Sequence, residues 1–89
     1  MARKRTHTET TEYAAMVRRM LRAYGRRVAD ADPEDLAELL KLQDVLQDVI
    51  SDAVHGMREQ HGRSWADIAT ATGTTRQAAA MRWGKGTAA

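Results

Sequence analysis

Apolar residues recur at three- and four-residue steps through most of this chain, and helices follow from that spacing. Tyr13, Met16, Val17, Met20, Leu21, Tyr24 and Val28 form one stripe. They predict a first helix from about Thr10 to Val28, with Arg18, Arg19, Arg22 and Arg26 off the stripe. Asp30-Ala31-Asp32-Pro33 reads as a stop followed by a start. Asp32 caps, and Pro33 takes the first helical position, where its missing N–H costs nothing. Glu34 and Asp35 then suit the positive end of the helix dipole. A second helix is predicted from Pro33 to about Gln60, ~42 Å long at ~1.5 Å per residue. Its apolar positions, from Leu36 to Met57, spread wider than one stripe. Among them Leu39, Leu42, Leu46, Val49 and Ala53 alternate three and four apart, as a helix–helix seam does. Gly56 is a poor helix former inside this run. It marks a close helix approach, a bend or an early end.

The last third of the chain has shorter periods and stronger punctuation. Ser64 can cap a short helix, with Asp67 three residues on as the reciprocal acid of a capping box. Gly73 ends that helix, because glycine enters the left-handed conformation without a steric penalty. Thr75 caps a second short helix that runs to Trp83. Ala69 before the turn and Ala78 or Ala79 after it are small enough to let the two helices cross closely, and Ile68 and Trp83 supply apolar cover. Residues 64–83 therefore read as a helix-turn-helix, the arrangement that lays its second helix in a DNA major groove. Arg76 and Gln77 fall in the first turn of that helix, and their side chains fork onto guanine or adenine edges. Thr75, Ala80 and Met81 share their face, with Ala80 and Met81 suited to thymine methyls or sugar edges. Arg63, Arg82, Lys85 and the Thr75 backbone amide are placed for phosphates.

This segment, about the last quarter of the chain, resembles the small helix-turn-helix DNA-binding proteins of actinobacteria and their phages. Many of these carry a similar Ser-Trp-x-x-Ile-Ala…Gly-x-Thr-Arg-Gln-Ala-Ala-x-x-Arg-Trp string. The resemblance implies DNA binding and leaves the operator open. The chain departs from the pattern at Thr74, where the family usually has Val or another apolar residue. That departure removes a staple from the turn.

Charge is partitioned along the sequence in a way the net value of +2 conceals. Residues 1–31 carry eight basic side chains against three acids, residues 32–57 one against seven, and residues 58–89 five against two. Two basic ends flank an acidic middle. Basic segments suit a phosphate backbone, and an acidic helix should face away from it. Residues 1–9 read as a flexible basic arm in which Arg3, Lys4 and Arg5 reach phosphates or the minor groove. Asp44, Asp48 and Asp52 form a ridge four residues apart, the pattern of a solvated face.

Other chemistries are poorly served. The chain has no Cys, hence no disulfide or thiolate metal site, which suits a cytoplasmic protein associated with the nucleoid. His55 and His61 are six residues apart and do not stack on one helical face, and His7 lies in the arm. No metal, cofactor or enzymatic activity is expected. No apolar run reaches the ~20 residues of a membrane span, and no signal-peptide core is apparent. The expectation is a single all-α domain over residues 10–89 with about four helices, one long central helix and a C-terminal helix-turn-helix. Its predicted function is sequence-specific binding of double-stranded DNA, as a small bacterial or phage transcriptional regulator that occupies an operator. At 89 residues a monomer buries only ~60–65% of its unfolded surface and is marginally stable, so a homodimer through the helix at 33–60 is expected. Two other roles fit the same sequence: a DNA-associated accessory factor in excision or partition, and a helical protein-interaction module in which the hairpin is only scaffold.

Overall fold

Nothing between Ala2 and Tyr24 opposes a helix, since this stretch holds neither Gly nor Pro. In the computed structural model, which describes residues 2–84 with side chains from Thr6 onward, the first helix α1 runs Ala2–Ala29. It therefore begins well before Thr10, and residues 2–9, expected as a flexible arm, continue the helix. The Thr10 hydroxyl donates to the Thr6 carbonyl at 2.7 Å, and the Thr11 hydroxyl to the His7 carbonyl at 2.9 Å. Such bonds one turn back need helical backbone beneath them. Apolar periodicity could not reveal this turn, because backbone hydrogen bonding needs no apolar side chains. Arg26 and Arg27 end α1, where cations oppose the negative end of its dipole. The chain then tightens through bonds from Asp30 N–H to the Arg27 carbonyl and from Ala31 N–H to the Val28 carbonyl, at 3.1 and 3.0 Å.

The second helix α2 spans Glu34–His61, starting one residue after Pro33 and ending one after Gln60. Its first turn is set by bonds from Asp35 N–H to the Asp32 carbonyl (2.9 Å) and from Leu36 N–H to the Pro33 carbonyl (3.1 Å). Gly56 neither ends this helix nor admits a close neighbour: a Cβ built there meets nothing within 4 Å. The end comes at Gly62, whose φ of 63° lets Arg63 N–H turn back onto the Met57 carbonyl at 3.0 Å. Two short helices follow, α3 (Trp65–Thr72) and α4 (Arg76–Trp83). The described residues are thus all-α, four helices without a strand, as the periodicity predicts. Among them no helix is long and apolar enough to cross a membrane.

The chain divides into two compact units at a boundary inside α2, after Leu42. In the first unit, α1 and the start of α2, none of the described residues is buried. Tyr13, Met16, Val17, Met20, Leu21 and Tyr24 of α1 line a shallow apolar groove with Leu42. In the second unit a small core forms from Val54 of α2, Ile68 and Ala69 of α3, and Ala79 and Trp83 of α4, with Trp65 packed against it. This core fixes α3 and α4 onto the C-terminal part of α2. Val54, outside the seam of Leu39, Leu42, Leu46, Val49 and Ala53 that spacing picks out, is the residue of that helix most fully enclosed.

Candidate nucleic-acid interface

Each end of the short hairpin is closed by the side chain the sequence puts there. Ser64 takes the extended backbone of a cap, and its hydroxyl accepts from Asp67 N–H at 3.0 Å. The Asp67 carboxylate accepts in return from Ser64 N–H at 3.0 Å, which completes the capping box. The bond from Ser64 N–H, then the Ser64 hydroxyl beside the carboxylate and the nearby Arg63 charge, hold the Asp67 carboxyl below its ordinary pKa of 3.8. Gly73, at φ 71°, takes the left-handed position that ends α3. Its N–H and that of Thr74 both turn back onto the Ala69 carbonyl, the latter at 3.0 Å. Thr75 restarts the chain: its hydroxyl accepts from Ala78 N–H at 3.0 Å, and α4 begins at Arg76.

Packing then decides which face of α4 remains open. Ala79, fully enclosed at 0% exposure, is the residue over which the helices cross, and Ala69 at 5% lies before the turn. Ala78, the other candidate for that crossing, is exposed. Trp83 lies on the same side as Ala79, because residues four apart on a helix are neighbours. Arg76, one position after the cap and three before Ala79, is exposed at the head of the helix, and Gln77 is exposed on the side opposite Ala79. Met81 extends that side and is 70% exposed, while Ala80 between them is half-buried. Thr75 is exposed at the head of the helix. The open surface of α4 is therefore Gln77 and Met81 on the side away from Ala79, flanked by Ala80, with Thr75 and Arg76 exposed at the helix head, four and three positions before Ala79. Ala80 contributes least to it.

The candidate phosphate contacts are spread more widely. Arg63 precedes the α3 cap and is exposed. Arg82 is exposed near the end of α4, with its guanidinium carbon 5.3 Å from the Trp83 ring centre. Lys85 lies outside the described residues, as do the side chains of Arg3, Lys4 and Arg5.

One structural pair was not read from the sequence. The Arg58 guanidinium stacks on Trp65, 4.2 Å from the ring centre, and its Nη1 is buried without a hydrogen-bond partner. The ring face receives that charge and ties the end of α2 to the start of α3. Spacing along α2 carries no signal for this pair, because Trp65 reaches Arg58 only after the chain has turned at Gly62. Of the histidines, His55 stands 3.7 Å from Glu59 on α2. Among the described residues no group of three or more His, Cys, Asp or Glu is placed to hold a metal ion. Compared with protein-family models, with curated proteins and with solved structures, the chain gives no match.

Proposed function

We propose that this protein binds double-stranded DNA sequence-specifically through α4 and acts as a small transcriptional regulator by occupying an operator. One observation carries the reading. The capped pair α3–α4 is held by a core that leaves Arg76, Gln77 and Met81 exposed to solvent. A hairpin used only for packing has no need of two forking polar side chains in the first exposed turn of its second helix. Base reading needs them there, since the N-terminal residues of a recognition helix meet base edges. The resemblance of residues 64–83 to small helix-turn-helix proteins supports the same role.

Arg76 and Gln77 make paired hydrogen bonds to guanine or adenine, Thr75 and Met81 border them, and Ala80 lets the helix approach. Arg63 and Arg82 hold phosphates on either side, with Lys85, Arg3, Lys4 and Arg5 adding to the same field. A single eight-residue recognition helix covers few base pairs. A homodimer through α2 doubles the contacts and spaces two half-sites about one helical turn, ~34 Å, apart.

The test is a salt titration of duplex binding by fluorescence anisotropy. Affinity should fall linearly on logarithmic axes, by ~0.9 of a decade per decade of salt for each phosphate held. Arg63→Gln with Arg82→Gln should make that slope shallower by about two contacts per chain. No binding, or a flat slope, would show that the hairpin is scaffold for an apolar protein contact.

A further inference from the structure

The first unit has an apolar stripe and, among the described residues, nothing buried. Tyr13 and Met20 of α1 are 66% and 62% exposed, and Leu46 and Val49 on the seam of α2 are 55% and 54% exposed. A helix gains most of its stability in a protein from packing such a face, so both stripes call for cover. The two helices are also matched. Each has 28 residues. Over those residues α1 carries eight basic side chains against two acids, and α2 two against seven.

We infer that the cover is a second copy of this chain, with α1 of each copy lying along α2 of the other. The inference rests on the dimer proposed above and adds α1 to an interface assigned there to α2 alone. Charge selects between the two arrangements. Pairing α2 with α2 brings two helices of the same negative sign together, and pairing α1 with α1 does the same with positive sign. The exchanged arrangement sets each helix beside one of opposite sign and nearly equal charge. Complementary potentials of this kind govern which surfaces meet and in what orientation. Arg18, Arg22 and Arg26 lie off the stripe of α1, and Asp44, Asp48 and Asp52 lie off the seam of α2. The charges therefore stay solvated away from the apolar faces and act through the field of each helix, and Met16, Met20 and Leu21 meet Leu46 and Val49 without a desolvated ion pair.

Sedimentation and cross-linking of the full chain test this. The wild type at micromolar concentration should sediment at twice its 9.9 kDa. Met20→Glu alters a side chain already exposed in the single chain, and it should halve that mass while leaving the α3–α4 fold intact. Because the chain has no Cys, single cysteines report only the positions chosen. Differently tagged chains are mixed, one carrying Tyr13→Cys or Met20→Cys and the other Leu46→Cys or Val49→Cys, and are treated with a short bismaleimide. The dominant product should join α1 of one tag to α2 of the other. This arm stands even if Met20→Glu does not fold. A monomeric wild type would overturn the dimer altogether, and the exchange with it. A dimer that survives Met20→Glu, or that cross-links only α2 to α2, would overturn the exchange while leaving the dimer in place.

Discussion

Trp83→Ala separates the side of α4 that folds the protein from the side proposed to read DNA. Trp83 is 8% exposed and belongs to a core of five residues. Burying the ~150–250 Å² of a Trp at ~25 cal/mol per Å² corresponds to ~4–6 kcal/mol. Measured truncations of buried aromatics cost ~3–5 kcal/mol. The lower end applies here, because a shallow groove lined by Gln47, Ile50, Ser51 and Arg82 borders the indole and gives water a way into the vacated space. A loss of ~3 kcal/mol is a large part of the ~5–15 kcal/mol a domain has. At ~4–8 °C per kcal/mol for a chain of this size, it lowers Tm by ~12–24 °C. Thermal unfolding by circular dichroism measures this directly, and Trp83→Phe should fall between the two. Any loss of DNA affinity should then track the folded fraction and recover on cooling. A variant with wild-type Tm and weakened DNA binding would refute the reasoning, since Trp83 would then be a contact and not core.

Further expectations follow from the same geometry. Arg76→Ala and Gln77→Ala should each cost ~1–3 kcal/mol of specific binding and relax preference at one base pair, with circular dichroism unchanged; unaltered base preference in both would remove α4 from the groove. Two glycine substitutions should act in opposite directions in urea unfolding, although a Cβ meets nothing within 4 Å at either site. Gly73→Ala forces an L side chain to φ 71° and should destabilise by ~1–2 kcal/mol. Gly56→Ala fills an ordinary helical position and should stabilise by ~0.5–1 kcal/mol. Asp67 has its pKa lowered in the folded chain, so its contribution is complete above the unfolded value of 3.8 and is lost as pH falls through the folded one. Below about pH 4 the wild type should lose this part of its stability, and Asp67→Asn should show a flatter acid limb in pH-dependent unfolding.

What the sequence disclosed and what it withheld divide along physical lines. Ser64, Asp67, Gly73 and Thr75 act through bonds to residues three or four positions away, so their roles as caps and breaker could be read locally and stand as read. The boundaries of α3 and α4 followed from them, and those of α2 from Asp32-Pro33 and its apolar run, within a residue or so. The start of α1 did not, because a polar stretch without Gly or Pro gives periodicity nothing to detect. Val54 and the Arg58–Trp65 stack belong to contacts made only after the chain turns at Gly62, and linear spacing cannot rank them. Ala69 and Ala79 were legible as small residues bracketing a turn, but choosing Ala79 over Ala78 needed the direction in which α4 leaves its cap. With Ala79 and Trp83 turned inward, Gln77 and Met81, four positions apart, fall on the outer side, while the exposure of Arg76 in the first turn does not follow from spacing.

The most direct measurement of the central claim is selection of bound fragments from a pool of random duplexes, sequenced over successive rounds. Sequence-specific reading by α4 in a homodimer predicts enrichment of one palindromic site. Its half-sites should lie about one helical turn, ~10 base pairs, apart. The enrichment should be lost or redirected in Arg76→Ala and Gln77→Ala. A pool that stays random through selection, although the protein remains folded and binds duplex, would contradict sequence-specific recognition and leave only attraction to the phosphate backbone.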